Sequence, residues 1–368
     1  MGNIKIGITG SSGFIGWHLR CCLKEDPTLE VLQANEDAFS EKSNLTAFVD
    51  KCDVIVHLAG LNRGDEAELL HTNIFLSKSL IEACDNVGRR PHIIFASSTH
   101  IDRDTAYGRS KRISAEMFRE WEMRSGGRFT NLILQNVFGE HGKPFYNSVV
   151  ATFCYQLAEG QNPEIIDDSD IQLIYAQDVA RIIREAALNS PGGEIQPSGF
   201  GILVSELLEK LMGYDELYKK GILPLFQDGF DVQLFNTYRS FLFPKRFPVA
   251  PTLLHDHRGT LFEALRTLTG GQCFVSTTLP GVTRGNHYHT GKFERFLVIK
   301  GDAIIRIRRL LYEDVVEFLV SGAKPCFIDI PILHTHNITN VGTSELLTLF
   351  WTNEFFDAER PDTYPENV

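Results

Sequence analysis

Long apolar runs are missing from this chain. No stretch approaches the roughly 18–20 apolar residues of a membrane-crossing helix, so no membrane partner is expected. Met1 to Gly7 run straight into a strand pattern and lack the zones of a secretory leader. Basic charge is also scarce: 36 Lys and Arg stand against 47 Asp and Glu, a formal net charge of −11. Such a surface repels phosphate backbones, which argues against nucleic acid as a partner. Cysteines in metal-type pairs are absent; the seven present are an odd set, and the adjacent Cys21 and Cys22 cannot form an ordinary bridge. Reduced thiols in the cytoplasm are the simple expectation.

What is present reads as ordinary globular protein, and 368 residues are more than one domain usually needs. Residues 4–9, 29–33, 53–58 and 92–97 have strand character, with helical patterns between them, notably over 66–87. Strands alternating with helices predict an α/β fold of Rossmann type, a doubly wound parallel sheet covered on both faces. Beyond about residue 240 the pattern changes. Phe243 to Pro251 carry three prolines, which stop helices and interior strands. Short β-type runs follow at 272–279, 295–300, 303–308, 313–319, 325–330 and 345–351, predicting a small antiparallel barrel or jelly roll. The expected division is a first domain over 1–243, a linker over 244–251 and an all-β domain over 252–368.

Between the first strand and first helix lies Thr9-Gly10-Ser11-Ser12-Gly13-Phe14-Ile15-Gly16. Glycines spaced this way permit a tight turn and close approach of a pyrophosphate to the positive end of the helix. A carboxylate at the tip of the second strand would hold an NAD ribose; Val31-Leu32-Gln33-Ala34-Asn35 offers none before Glu36. That omission favours NADP(H) over NAD(H), and Arg20 could assist, although a solvated helix face is the simpler account of it.

Tyr107 and Lys111 form a Tyr-x-x-x-Lys pair, one helical turn apart and so on one face. An ammonium at Lys111 is expected to lower the Tyr107 phenol, which would donate a proton to a carbonyl oxygen as hydride arrives. Ala96-Ser97-Ser98-Thr99 ends the preceding strand and supplies hydroxyls for the same oxygen. Asn136-Val137-Phe138-Gly139 resembles the Asn-Val-Tyr-Gly of the extended short-chain dehydrogenase/reductases, which implies a candidate sugar-nucleotide loop over 141–147; a surface loop with no ligand is an equal reading.

In the second half, Gly281 is followed by His287, His289, Glu294 and Gly301. Side chains two apart on a strand share a face, so both imidazoles can meet one carboxylate around Zn, Fe, Mn, Ni or a similar ion. Pro331-Ile332-Leu333-His334-Thr335-His336, with Asn340, supplies two further histidines.

These motifs resemble known families. Thr-Gly-x-x-Gly-Phe-Ile-Gly, together with His57-Leu58-Ala59-Gly60 and Asn73, resembles the extended short-chain dehydrogenase/reductases over about residues 1–240. That resemblance implies a catalytic Ser98, with Thr99 as the near alternative, beside Tyr107 and Lys111. It also implies a nicotinamide cofactor lined by Gly10, Ser12, Gly13, Phe14, Ile15, Leu58, Ala59, Tyr107 and Lys111. The loop between Ser98 and Tyr107 is shorter than the family's and lacks its usual Val-Tyr-Gly. The spacing G-x5-H-x-H-x4-E-x6-G resembles the first cupin motif, and the second implies His336 as fourth ligand, with Leu333 in place of the usual glycine. Asp256-His257-Arg258-Gly259, Phe262-Glu263 and Arg284-Gly285-Asn286-His287 resemble sugar-nucleotide 3,5-epimerases of the cupin superfamily. His287 thus falls in two motifs at once, as ligand or as base.

The fused order resembles capsular-polysaccharide UDP-keto-sugar reductases. This implies a homodimer acting on a UDP-4-keto-6-deoxy-N-acetylhexosamine on the route to UDP-N-acetyl-L-fucosamine. Carbon 3 would be epimerised in the cupin domain, with one divalent metal, Zn by expectation, and carbon 4 reduced with NADPH. Epimerisation comes first, because reduction removes the ketone that makes carbon 3 acidic. Two other readings stay open. The cupin domain could be a metal-stabilised dimerisation module, or the chain a nucleotide-sensing regulator with a degenerate reductase site.

Overall fold

The computed structural model describes residues 3–257 and 259–368. It divides into two compact units, Met1–Thr152 with Ile165–Val204, and Phe153–Glu164 with Ser205–Val368. In the first unit six strands form one sheet in the order 29–34, 4–9, 54–57, 92–98, 128–134 and 193–195. Every neighbouring pair is parallel, as strand–helix–strand crossovers require. Period two explains the layering. Val54 and Val56 face one apolar cluster with Ile6, Ile8, Leu19 and Ile94. Ile55 faces the other, with Ile93, Phe95, Phe118 and Trp121. The helix Glu66–Val87 begins at Asp65, whose carboxylate accepts from the amides of Ala67 and Glu68 at 3.0 and 2.9 Å, and ends at Gly88 with φ 65°. Cap and stop sit where their chemistry is expected. The chain winds to both sides of the strand Ile4–Thr9, and ligands of such sheets bind at that reversal, beyond the carboxyl ends of the strands.

Among the described residues, the second unit carries two short two-stranded pairings and two larger antiparallel sheets, consistent with a cupin. One has the order 272–278, 346–352, 294–300, 327–330; the other has 315–321, 302–309, 334–340, 283–288, 364–365. The expected β-runs are found within a few residues of their places.

The helices over 204–219 and 229–242 lie in the stretch that the sequence grouped with the first domain. From residue 205 onward they belong to the second compact unit. Their buried faces explain why. Phe235 packs on Phe293 at 5.8 Å between ring centroids, and the Asn236 amide donates to the Gly291 carbonyl at 3.2 Å. The Tyr218 hydroxyl donates to Asp329, a carboxylate 1% exposed. Arg295 grips the same carboxylate through Nε and Nη2 at 2.6 and 2.9 Å. Burial raises the Asp329 carboxyl, but the Arg295 guanidinium outweighs it and holds the group below its ordinary value.

Candidate functional sites

The glycine loop is shaped by contacts that admit no side chain at two of its positions. Gly10 has φ 71°, and a Cβ there would lie 2.8 Å from the amide nitrogen of Ala59. A Cβ on Gly16 would lie 2.4 Å from the Gly10 carbonyl. Loop, helix and the Leu58–Ala59 segment are therefore in close apposition, as a dinucleotide cradle needs. No side chain caps the helix Phe14–Lys24 at Gly13, so its first-turn amides remain suited to a phosphate. The hydroxyls of Ser11 and Ser12 both donate to Asn35 Oδ1 at 2.8 Å, and Arg20 Nη1 donates to Gln33 Oε1 at 3.0 Å. Amides and hydroxyls, rather than a carboxylate, thus occupy the tip of the second strand.

His57 and Asn73 have scaffolding parts here. His57 Nδ1 lies 2.7 Å from Thr9 Oγ1, and burial, with the Lys111 ammonium adding to it, pushes the imidazole down to about 3. It stays neutral. Asn73 holds Leu61 through both main-chain groups, at 2.7 and 2.8 Å, and reaches the Ser110 hydroxyl at 3.0 Å.

Ser98 closes the strand His92–Ser98, and its hydroxyl accepts from the His100 amide at 3.2 Å. Tyr107 and Lys111 lie in the first turns of the helix Ala106–Ser125, capped by Thr105. Burial pushes the Tyr107 phenol up to about 12, with the Ser98 hydroxyl pulling the other way. Burial lowers Lys111 to about 8. The expectation that Lys111 depresses the phenol is therefore corrected. The ammonium donates to the Ala96 carbonyl at 2.7 Å and sits 5.6 Å from the Tyr107 ring centroid, so desolvation of the phenol dominates. A protonated tyrosine at neutral pH is nonetheless the state a proton donor requires.

Sequence reasoning passed over two features of this unit. Glu140 is 1% exposed, accepts from the Tyr175 hydroxyl at 2.6 Å, and is raised by burial to about 7. Arg63 Nη1 donates to the carbonyls of Phe145 and Tyr146 at 2.6 and 3.0 Å, fastening the 141–147 loop. Neither belongs to a local motif; only the folded chain brings their partners near.

In the second unit, His287, His289, Glu294 and His336 converge, with their ligand atoms all within 4.8 Å of one another. His287 stands directly across the ladder from His336, after a bulge at Gly285 and Asn286. Glu294 opens a strand of the other sheet, so both sheets contribute to the cluster. Glu294 Oε2 lies 3.0 Å from His336 Nε2 and 3.2 Å from His289 Nε2. Burial would raise the Glu294 carboxyl, but the two histidines hold it well below the usual range. The Nε2 atom of His289 is buried, and its 3.2 Å approach to Glu294 is not aligned as a hydrogen bond. Three imidazoles and one carboxylate this close fit a divalent cation.

Leu333 retains the left-handed backbone of the glycine it replaces, at φ 55°, and its amide donates to the His289 carbonyl at 2.8 Å. His334 faces elsewhere, with Nδ1 2.8 Å from the Ile332 carbonyl. Of the epimerase-like element, Arg258 lies outside the described residues, and Glu263 is exposed. Arg284 is held to the Thr278 hydroxyl and Thr277 carbonyl, both at 3.0 Å.

A glycine-cradled sheet end with a Ser/Tyr/Lys set defines a nicotinamide-type α/β enzyme unit, here joined to a metal-type β unit. Comparison with known proteins agrees with that class. Residues 6–196 match the NAD dependent epimerase/dehydratase family, and residues 254–364 match the polysaccharide biosynthesis C-terminal domain. The chain belongs to the NAD dependent epimerase/dehydratase family. It is 35% identical to a UDP-2-acetamido-2,6-beta-L-arabino-hexul-4-ose reductase of Pseudomonas aeruginosa, with 99% of each chain covered. Among solved structures it is similar to the capsular polysaccharide assembling protein CapF of Staphylococcus aureus, at 31% identity and a TM-score of 0.62, covering 99% of this chain and 100% of that one. The UDP-glucose 4-epimerase of Thermotoga maritima shares the fold, at 20% identity and a TM-score of 0.53, covering 58% of this chain and 83% of that one.

Proposed function

We propose that this protein is a bifunctional sugar-nucleotide enzyme of capsular polysaccharide synthesis. Its first unit reduces carbon 4 of a UDP-4-keto-6-deoxy-N-acetylhexosamine with NADPH, and its cupin unit epimerises carbon 3, toward UDP-N-acetyl-L-fucosamine. The observation that carries this reading is the end-to-end similarity to the Pseudomonas reductase, over 99% of both chains. In the first unit Ser98 orients the substrate ketone, Tyr107 gives its phenolic proton to the oxygen, and Lys111 keeps a positive charge beside the developing alkoxide. The absence of a carboxylate from Val31 to Asn35 supports NADPH, since an acid there would repel a 2′-phosphate.

His287, His289, Glu294 and His336 would hold one divalent cation, for which we propose Zn. Such an ion supplies Lewis-acid stabilisation of an enolate oxygen or rigidity for the barrel. His287 would be either a ligand or the base at carbon 3. We further propose a homodimer. The strand Gln272–Thr278 is the edge of its sheet, and Phe274 and Val275 on it are exposed, the kind of edge that pairing covers. The cytoplasm, which holds the pools of UDP-sugars and NADPH, is the compartment this chemistry calls for.

The test is incubation with the 4-keto sugar nucleotide and NADPH in deuterated water. The reading predicts loss of NADPH and one deuterium at carbon 3 of the product. Undiminished NADPH removes the reductase; a carbon 3 that keeps protium removes the epimerase.

A further inference from the structure

A histidine can bind a metal only if the nitrogen facing it is deprotonated, and a hydrogen bond from the other ring nitrogen fixes that choice. His336 finds its acceptor locally: its Nδ1 lies 3.2 Å from the carbonyl of His334. His289 has a distant one. Its Nδ1 lies 2.5 Å from the main-chain carbonyl of Asp362, 73 residues further along the chain. That carbonyl is turned inward at a residue with φ 41°, in the left-handed region that aspartate tolerates better than most.

The side chain of Asp362 does a second job. One carboxylate oxygen accepts from the Thr290 amide and hydroxyl at 2.8 and 2.7 Å. The other accepts from the amides of Gly291 and Lys292, both at 2.9 Å. Four donors on one carboxylate fix the short loop that connects His289 to Glu294. Lys292 closes the arrangement from the other side, donating from Nζ to the Pro361 carbonyl at 2.7 Å and the Thr363 hydroxyl at 3.1 Å.

The tail then continues across the other ligand-bearing strands. Pro365 pairs with His287. The Glu366 amide donates to the Asn286 carbonyl at 2.9 Å, and the Thr335 hydroxyl donates to the Glu366 carbonyl at 2.6 Å. The segment is thus tied at the residues flanking His287, His289 and His336.

We propose that the segment Pro361–Glu366 is a working part of the metal centre, with Asp362 as its positioning residue. Asp362 sets the tautomer of His289 through its carbonyl and the His289–Glu294 spacing through its carboxylate. This rests on the reading of His287, His289, Glu294 and His336 as ligands. A purely structural tail would leave the affinity and ligand field of a bound ion unchanged.

The experiment uses the full-length protein, stripped of metal and titrated with Co(II) against a chromophoric chelator, with the visible Co(II) absorption recorded. In Asp362→Asn, an amide must face donors where a carboxylate oxygen accepted. That variant is expected to lose roughly 10–100-fold in Co(II) affinity, the range for second-layer partners of metal ligands, and to alter the absorption band. Thr290→Val removes one of the four donors and should cost about two- to tenfold; it keeps the measurement informative where Asp362→Asn folds poorly. Wild-type uptake of Co(II) with unchanged affinity and spectrum in both variants overturns this inference alone. Wild-type protein that takes up no Co(II) overturns the ligand assignment as well.

Discussion

The two candidate sites are assembled in opposite ways. At the sheet end of the first unit the reactive groups are sparse, and burial sets their protonation: the Tyr107 phenol is driven up and the Lys111 ammonium down. In the second unit four candidate ligand groups crowd within 4.8 Å, and the histidines, rather than burial, decide the state of Glu294. The first site has the form of one that a dinucleotide completes. The second has its donors already convergent, and its orientation depends on the layer behind them.

That contrast can be broken most forcefully at Tyr107. Removing its hydroxyl in Tyr107→Phe should slow NADPH oxidation by about 10²- to 10⁴-fold, the usual worth of a positioned acid, while leaving metal content intact. Steady-state kinetics and metal analysis together check this. A comparable blow to the second unit falls on packing. Asp329→Asn leaves Arg295 buried beside an uncharged partner and should cost about 3–5 kcal/mol, read as a lower midpoint in denaturant unfolding with little change in NADPH binding.

A subtler effect concerns pH. In the proposed reaction Lys111 acts in its charged form, and it is lowered to about 8, so kcat/KM should be level up to about one pH unit below that value and fall as pH rises through it. Lys111→Arg, which keeps its charge, should carry that limb to higher pH. The smallest expected effect is at Leu333. Leu333→Gly would relieve a left-handed conformation worth about 1–2 kcal/mol but empty a buried site worth about 2–5 kcal/mol. The net should be a loss of roughly 1–3 kcal/mol, visible as a modest drop in Tm.

The sequence made the motifs of both sites legible and hid much of what supports them. Gly10, Gly16, Tyr107 and Lys111 are readable because turn geometry and helical spacing fix their separations. His287, His289 and Glu294 are readable for the same reason, since strand alternation puts the two histidines on one face. Asp362, Arg63 and Glu140 escape notice because their partners are brought close only by folding; Asp362 and His289 share no period or motif. The direction of the Tyr107 shift was likewise out of reach. Spacing reveals that a lysine lies one turn away, but not that its ammonium is engaged by Ala96 while the phenol is desolvated. For the helices over 205–242, which unit their apolar faces would meet was not legible; Phe235 and Asn236 pack against the loop at 291–293.

The division of chemistry between the two units is tested most directly in the Tyr107→Phe variant, given the 4-keto sugar nucleotide and NADPH in deuterated water. The account predicts deuterium entering carbon 3 of the recovered keto sugar while NADPH persists. A variant that neither consumes NADPH nor exchanges carbon 3 would contradict it, because carbon 3 chemistry would then depend on the reductase site.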